Sequence, residues 1–302
     1  RGDARDVIAS LVSKHNVKGV YWNRCYEPWR IERDSAIKEK LKIDGLDVET
    51  FNGSLLWEPW ETVKDDGSPY RVFSPFFHRG CNKAHPPREP LNRPSSPDLF
   101  KAGGDDGLEA LDLLPEVPWY ESLEENWSPG EKGAEERLQD FLEEGLDDYK
   151  EGRNFPAKQN VSRLSPHLHF GEISPNQVWY AARQCEEGRD LKHFLSELGW
   201  REFSYSQLYF NPDLPHRNLQ DKFDDFPWRD DADALQRWQK GMTGYPIVDA
   251  GMRELWQTGY MHNRVRMVVG SFLVKNLLLH WRHGERWFWD TLADADLANN
   301  SA

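Results

Sequence analysis

The chain has 302 residues, and its 51 Asp and Glu against 38 Lys and Arg give a formal net charge of −13. With 38% hydrophobic and 13% aromatic residues, the composition excludes a collagen, a disulfide scaffold and a wholly disordered chain. At roughly 100–200 residues per domain, the length predicts two domains. The acidity and the 14 Trp need an explanation, because DNA-binding proteins usually carry a basic surface and a buried indole N–H needs a partner.

The number and spacing of the cysteines and the hydropathy of the sequence indicate the cellular compartment of the protein. Cys25, Cys81 and Cys185 are far apart and odd in number, which favours free thiols in a reducing cytoplasm. No run of about 18 apolar residues exists, so we predict a soluble protein that does not cross a membrane. Because the chain starts at Arg1 without a Met and ends in a polar run at Ala302, we expect a fragment cut at both ends.

The first hundred residues alternate between helical and strand patterns. Residues 7–12 and 31–41 have helical spacing, whereas residues 17–22 and 46–51 have the composition and alternation of strands. This alternation predicts an α/β domain, which we place at residues 1–102.

A long linker with a strong negative charge follows. Residues 86–129 are rich in Pro, Gly, Ser and acids, and we place the acidic linker itself at 103–130. Residues 103–151 hold 17 acidic and 3 basic side chains, against 34 and 35 in the rest of the chain. Such charge blocks are usually solvated surface. The acidity is therefore local and does not exclude DNA binding elsewhere.

The last part of the chain, residues 131–302, has helical patterns almost throughout. We predict an all-α domain with Ser174 as the N-cap of a helix that starts at Pro175. The predicted helices cover residues 134–144, 175–186, 191–210, 232–241, 247–258, 262–279 and 285–291.

Three polar groups in this domain could carry chemistry. Their members are Glu197, Trp200 and Arg201 at helical i, i+3, i+4 spacing; Asn263, Arg266 and Met267 at the same spacing; and residues 294–300, with two acids and two amides. Each group alone has a structural explanation, since Asp294 or Asp296 could pair with an arginine such as Arg266. Three such groups in one domain favour a binding site.

Common nucleotide and metal motifs are missing. The sequence contains no GxGxxG, no Walker loop and no HExxH. The pairs His167 with His169 and His280 with His283 lack clustered Cys or carboxylate partners, so we predict no metal site.

Five motifs together resemble the DNA photolyase and cryptochrome family. They are NVSRLSP at residues 160–166, ELGWREF at 197–203, TGYPIVDA at 243–250, MHNRVRM at 261–267 and DADLA at 294–298. The resemblance implies an incomplete, Rossmann-like α/β antenna domain followed by a helical domain that binds FAD. It also implies blue-light-driven repair of cyclobutane pyrimidine dimers in DNA by electron transfer from reduced FAD, in a deoxyribodipyrimidine photolyase.

The resemblance assigns residues to the cofactor. Asn300 matches an amide that faces the flavin N5 atom and takes part in catalysis, and Val161 stands where many relatives have Thr. The cofactor-binding set is Tyr149, Val161, Ser162, Arg163, Leu164, Ser165, Arg201, Arg266, Asp294, Ala295, Asp296 and Asn300. A folate or deazaflavin antenna chromophore is a further expectation for the family, although the sequence does not identify it.

The resemblance also assigns the lesion pocket and an electron path. The lesion contacts are Glu197, Trp200, Asn263, Arg264 and Met267, with Glu197 also catalytic. Trp228 and Trp281 match the outer and middle members of an electron-hopping chain, whose inner Trp is expected just beyond Ala302. The expected partner is DNA with pyrimidine dimers, bound by a monomer.

Two alternatives stay open at this point. A cryptochrome-type photoreceptor would use the same flavin for signalling, but that branch in animals and the six-four photolyases have histidines where this chain has Asn263 and Met267. The chain could also be an incomplete piece that retains only flavin affinity.

Overall fold

The computed structural model describes residues 2–95, 97–100, 107 and 109–301. Of the predicted acidic linker, residues 103–106 and 108 therefore lie outside the described residues.

The N-terminal part is a small α/β unit, as predicted. Its elements are α1 (Ala4–His15), β1 (Gly19–Asn23), α2 (Pro28–Ile43) and β2 (Asp47–Phe51). The two strands pair in parallel, with Gly19 opposite Asp47, which requires the crossover that α2 provides. Buried Ile37 and Leu41 of α2 pack on Val48 of β2, so one apolar stripe of the helix covers the sheet.

The segment between β2 and the helical part contains short helical turns. Helix α3 (Phe73–Pro75) continues into a π-helical turn, Phe76–Cys81, and α4 (Glu121–Glu124) is followed by Trp127. The indole Nε1 of Trp127 donates a hydrogen bond of 2.7 Å to the carbonyl of Thr258. The end of the predicted linker is therefore attached to the helical part.

The remaining elements are helical, as predicted. They are α5 (Glu131–Asp140), α6 (Tyr149–Gly152), α7 (Ser165–Phe170), α8 (Pro175–Ala182), α9 (Arg189–Phe210), α10 (Ala232–Gln239), α11 (Pro246–Thr258), α12 (Asn263–Ser271), α13 (Trp281–Thr291) and α14 (Leu297–Ser301). Ser174 caps α8 as expected, because its hydroxyl accepts from the backbone N–H of Gln177 at 3.2 Å.

One predicted helix is wrong. Instead of a continuous helix over residues 262–279, α12 is followed by a π-helical turn, Phe272–Asn276. Leu278 then has φ of 56° and leaves the helix, because its carbonyl accepts from the backbone N–H of Arg229 at 2.8 Å. The bond to a distant segment replaces the helical hydrogen bonds that the local pattern predicts.

Helix α9 is the central element of the helical part. One side packs in a core with Trp57 and Phe76, which precede the linker, and its end packs with Tyr26 and Leu297 in another core. Gly199 lets the helix approach Phe77, since a Cβ there would lie 2.4 Å from the phenyl ring. The residues around 55–81 thus share a core with the helical domain.

Within the described residues, no helix has both the length and the apolar character needed to cross a membrane.

Candidate functional site

Three segments meet at Asp294, on the loop between α13 and α14. The carboxylate Oδ2 accepts from the Ser165 hydroxyl at 2.6 Å and from Arg266 Nη2 at 2.8 Å. Arg266 also donates from Nε to the carbonyl of Met261 at 2.8 Å. The predicted pairing of Arg266 with an acid of this loop is therefore confirmed. The other oxygen, Asp294 Oδ1, is buried without a protein hydrogen-bond partner.

A second network lies beside the first and includes Asp296. The Tyr205 hydroxyl donates to Asp296 Oδ2, and the backbone N–H of Asn299 donates to Oδ1 at 2.8 Å. Burial, followed by the neighbouring Asp296 carboxylate, raises the pKa of Tyr205 well above its ordinary value. The phenol is therefore a permanent donor. Asn300 lies on α14, one helical turn after Asp296, and its amide Nδ2 is buried without a partner in the protein.

Arg201 connects α9 to the loop after β2. Its Nη1 donates to the carbonyl of Ser54 at 2.7 Å and to Glu202 Oε1 at 3.2 Å, and its guanidinium lies 5.0 Å from the centre of the Tyr205 ring. Arg201 therefore contacts the Tyr205 ring, which connects it to the Asp296 network, and is not an isolated cation on a helix face.

The turn before α7 has an unusual backbone. Arg163 has φ of 51°, and its guanidinium lies 4.4 Å from the centre of the Tyr260 ring. The Ser162 hydroxyl accepts from the backbone N–H of Leu164 at 3.4 Å, and Leu164 is buried. Val161 precedes this turn and is half-buried. A left-handed residue within a turn points successive N–H groups to one side, a geometry that suits an anion such as a phosphate.

The carboxylate of Glu197 has a partner that the sequence did not suggest. Arg153, just after α6, donates from Nη1 and Nη2 to the two carboxylate oxygens, at 2.9 Å for the Nη2 bond. Arg153 Nη1 also lies 2.8 Å from His193 Nε2, and its guanidinium lies 5.5 Å from the centre of the buried Tyr149 ring. Burial lowers the pKa of His193, which favours the neutral imidazole beside Arg153.

Trp200 is accessible on one side and backed by an aromatic ring on the other. Its indole is 45% exposed and stacks on Phe73 with ring centres 3.8 Å apart and planes 9° apart. Phe77 stacks in turn on Phe73 at 5.6 Å. This arrangement leaves one indole face available to a flat ligand.

Several arginine side chains lie near the N-terminus of α12. Burial lowers the pKa of the N-cap residue His262, and nearby Arg153, Arg264, Arg163 and Arg266 lower it further. Two of these guanidinium groups are paired with carboxylates, Arg153 with Glu197 and Arg266 with Asp294. The excess positive charge therefore comes from Arg163 and Arg264, and it favours an anionic ligand such as a phosphate group.

Arg264 also orders the start of α12. It donates from Nε to Asn154 Oδ1 at 2.8 Å and contacts Met267 Sδ at 3.4 Å. Asn263 and Met267 on the same helix are exposed. Three of the side chains predicted for the lesion pocket, Asn263, Arg264 and Met267, thus share one helix, whereas Glu197 and Trp200 lie on α9.

Trp228 and Trp281 lie in a separate aromatic cluster. Trp281 Nε1 donates to Asn218 Oδ1 at 2.8 Å, whereas Trp228 Nε1 is buried without a protein partner. Both indole rings contact His280.

Most predicted site residues are brought together by α7, α9, α12 and the loop before α14. Sequence reasoning missed Arg153, Tyr205, His262 and Phe73. Tyr205 could have been found by extending the face of Glu197 and Arg201 by one further i+4 step. Arg153 and Phe73 had no such signal, because Glu197 and Trp200 are distant from them in sequence. His262 lies within the MHNRVRM motif and caps α12 by accepting from the backbone N–H of Arg264.

Comparison with known proteins gives the family. Residues 1–95 match the family model described as DNA photolyase, and residues 194–302 match the one described as the FAD binding domain of DNA photolyase. The chain is 47% identical over 307 residues to the deoxyribodipyrimidine photo-lyase of Agrobacterium fabrum, with 100% of this chain and 64% of that protein covered. The chain belongs to the DNA photolyase and cryptochrome family.

The structural comparison agrees. A crystal structure of a class III photolyase from Agrobacterium tumefaciens matches with a TM-score of 0.93 and 46% identity, covering 99% of this chain and 63% of that one. Cryptochrome-2 of Arabidopsis thaliana is more distant, with 38% identity over 97% of this chain and 51% of that protein. The chain spans about two thirds of the length of these photolyases.

The residues of this photolyase-family chain fit a flavin. An isoalloxazine ring offers N–H donors, carbonyl acceptors and the N5 nitrogen. The buried Asp294 Oδ1 can accept from such an N–H, and the buried Asn300 Nδ2 can donate to such an acceptor, and neither atom has a partner within the protein. The charge of the α12 N-terminus suits the diphosphate of FAD. The donor set and the cofactor are therefore chemically complementary.

Proposed function

We propose that this chain forms most of a deoxyribodipyrimidine photolyase that binds FAD and repairs cyclobutane pyrimidine dimers in DNA under blue light. The observation that carries the proposal is the pair of buried, unpartnered polar atoms on Asp294 and Asn300, next to the cationic start of α12. Leaving such atoms unpaired costs free energy, which a ligand with complementary polar atoms recovers.

In the proposal, Asp294, Asn300 and the turn before α7 each have a defined role in binding FAD. Asp294, held by Ser165 and Arg266, accepts a hydrogen bond from the flavin ring, and Asn300 donates one near N5. The turn at Val161–Ser165, with Arg163, faces the diphosphate. When bound and reduced, FAD supplies a light-excited electron donor. The protein holds this group in a fixed electrostatic environment and keeps water away from it.

The DNA side uses the neighbouring surface. The open face of Trp200 stacks on one ring of a flipped-out dimer, a type of contact worth about 1–3 kcal/mol per base. Glu197, Asn263 and Arg264 supply polar contacts, and Met267 supplies an apolar wall. Flipping costs less at a damaged pair that is already poorly stacked. Exposed Asn263 and Met267 support a cyclobutane dimer as the substrate, since the six-four branch has histidines at those positions.

The same flavin site also permits a cryptochrome-type photoreceptor. The 38% identity to Cryptochrome-2 of Arabidopsis thaliana supports this second candidate. The exposed stacking face of Trp200 favours the repair enzyme, because signalling does not require a binding face for a base.

The proposal also includes the oligomeric state and the cellular compartment of the protein. We place the protein in the cytoplasm as a monomer, in line with its three unpaired cysteines. A folate or deazaflavin antenna chromophore remains a prediction from the family resemblance.

The experiment combines cofactor binding with repair. The purified chain is mixed with FAD, reduced and illuminated with blue light in the presence of an oligonucleotide that contains one thymine dimer, and dimer loss is measured. We expect light-dependent loss for the native chain and a sharp decrease for Asp294→Asn, with no change for Asp290→Asn on α13. Flavin binding without any dimer loss would favour the photoreceptor, and the absence of flavin binding would contradict both candidates.

A further inference from the structure

His193 on α9 contacts the guanidinium that holds the Glu197 carboxylate. Arg153 donates from Nη1 and Nη2 to the two carboxylate oxygens of Glu197, and the same Nη1 lies 2.8 Å from His193 Nε2. A guanidinium stays protonated in proteins and has no acceptor, so Arg153 is the donor in every one of these contacts. His193 Nε2 is therefore an acceptor, and the neutral ring carries its proton on Nδ1.

The two contacts of Nη1 restrict the guanidinium from both sides. Nη1 has two hydrogens, enough for one bond to Glu197 and one to His193, while Nη2 donates to the second carboxylate oxygen at 2.9 Å. His193 and Glu197 are one helical turn apart on α9, whereas Arg153 comes from the segment after α6. The imidazole thus limits rotation of the Arg153 side chain away from the carboxylate.

The carboxylate held in this way lies beside the stacking face of α9. The Arg153 side chain is 8% exposed, but that of Glu197 is still 25% exposed. Trp200 follows Glu197 by three residues on the same helix and is exposed as well. A ligand that stacks on the Trp200 indole can therefore reach the Glu197 carboxylate while Arg153 holds it.

Titratable groups from three helices and their flanks surround His193. They are Glu197, Arg153, Lys150, Arg264 and Tyr149. Burial lowers the pKa of His193, the Glu197 carboxylate raises it, and the three cations lower it again. The Tyr149 hydroxyl adds no charge, because burial raises its pKa. This environment favours the neutral, accepting form of the imidazole.

Protonation of His193 would reverse its contact with Arg153. Nε2 would become a donor 2.8 Å from another donor, and the imidazolium would repel the guanidinium. The nearest carboxylate oxygen for the new N–H is Glu197 Oε1 at 3.7 Å, the same oxygen to which Arg153 Nη1 donates. The imidazolium would thus compete with the guanidinium for Glu197.

We propose that His193 is a positioning residue for Glu197, because its neutral ring holds Arg153 against the carboxylate and its protonated ring releases it. This inference rests on the proposed function, in which Glu197 contacts the flipped-out dimer. An ionised carboxylate only accepts hydrogen bonds, and each oxygen keeps a lone pair besides the one used by Arg153. The held carboxylate presents these lone pairs in one orientation to an N–H of the pyrimidine ring. Release of Arg153 therefore lowers the selectivity for dimer-containing DNA.

The first experiment tests the contact without cofactor or DNA. The chain is labelled with ¹⁵N-histidine, and the ring nitrogens of His193 are assigned with His193→Gln and followed against pH by NMR. We expect the Nδ1–H tautomer at neutral pH and a titration midpoint below the ordinary histidine pKa of about 6.5. Arg153→Met should give a mixture of tautomers, because the donor to Nε2 is lost. A native neutral ring with its proton on Nε2 overturns the inference.

The second experiment measures selectivity in the FAD-loaded protein. Fluorescence anisotropy gives the Kd for a duplex with one thymine dimer and for the same duplex without damage, above and below the midpoint found by NMR. The ratio of the two Kd values is compared, because general effects of acid on DNA binding act on both duplexes. We expect this selectivity to decrease about three- to tenfold in acid, as for the loss of one or two hydrogen bonds.

Three variants separate positioning from packing. In His193→Gln the amide oxygen accepts from Arg153 and does not titrate, so we expect nearly native selectivity at both pH values. In His193→Phe the ring remains but the acceptor is lost, so we expect low selectivity at both pH values with unchanged FAD binding. His283→Gln on α13 is the matched control and should keep the native pH dependence.

Three results of the second experiment overturn the inference. They are native selectivity in His193→Phe above the midpoint, a native pH dependence in His193→Gln, and a native protein whose selectivity does not change with pH. If the native protein does not prefer dimer-containing DNA at either pH, the proposed function fails, whereas the NMR titration still decides whether His193 holds Arg153.

Discussion

Phe73 covers one face of the Trp200 indole and determines how the other face is presented. Without the phenyl ring, the indole would sample other rotamers and lose part of the aromatic contact, which is worth about 0.5–1.5 kcal/mol. We expect Phe73→Ala to weaken binding of dimer-containing DNA by about two- to tenfold while FAD binding stays unchanged. Fluorescence anisotropy with a labelled oligonucleotide measures the change.

A control is Phe223→Ala, since Phe223 is a 45% exposed phenylalanine in a short 3-10 turn before α10, far from Phe73 along the chain. Equal losses of DNA affinity in the two variants would show that Phe73 has no particular effect on Trp200.

The Arg153–Glu197 pair is another residue-scale feature with a measurable consequence. The Arg153 side chain is 8% exposed and that of Glu197 is 25% exposed, so removing one charge leaves the other poorly solvated. We expect Arg153→Met to decrease the free energy of unfolding by about 2 kcal/mol, and the double variant Arg153→Met with Glu197→Gln to recover part of it. Urea unfolding of the two single variants and the double variant measures the coupling. Additive effects would contradict a direct interaction.

At the scale of elements, hydrophobic spacing predicts most helices to within a few residues. It could not predict the end of α12, because the carbonyl of Leu278 bonds to Arg229, almost 50 residues earlier. The same limit applies to the site. The i, i+4 spacing brings Glu197 and Arg201 onto one face of α9, but the partners Arg153 and Ser54 come from distant segments. Local periodicity contains no information about such pairings.

Glu202 shows how α9 is joined to the segment before the linker. Its Oε2 accepts from the backbone N–H groups of Leu56 at 2.9 Å and Trp57 at 3.3 Å, and its Oε1 accepts from Arg201. Burial raises the pKa of Glu202 from 4.5 to about 7, although Arg201 and the two N–H groups act against this rise. This carboxyl therefore connects the α/β side of the chain to the central helix and titrates near neutral pH.

The sign of the pH effect follows from proton uptake. Between pH 4.5 and about 7 the folded protein holds a proton on Glu202 that the unfolded chain has released, so the free energy of unfolding decreases as pH rises through this range. We expect a contribution of about 3 kcal/mol, lost above pH 7 and absent in Glu202→Gln. Denaturant unfolding at several pH values measures it. Glu136→Gln, at an exposed position of α5, is the control, and a native profile without this slope would contradict the prediction.

At the scale of the whole molecule, the charge is divided between two regions. Residues 103–151 carry 17 acids and 3 bases, whereas residues 152–302 are nearly balanced, with 18 bases and 19 acids. Within this balanced part, several arginines gather at the start of α12. A net charge of −13 is therefore compatible with a nucleic-acid surface, because the field near the ligand depends on the nearby groups more than on the total.

This division predicts how DNA affinity depends on salt. Each phosphate neutralised by an arginine contributes about −0.9 to the slope of log K against log salt concentration, whatever the net charge of the protein. We expect a negative slope for dimer-containing DNA, and a decrease of its magnitude by about 1 in Arg264→Gln. Arg237→Gln on α10 removes the same charge from another helix and should leave the slope unchanged. Titrations at four or more salt concentrations measure the slopes. If the two variants alter the slope equally, the total charge controls binding, and Arg264 is not a contact to the DNA backbone.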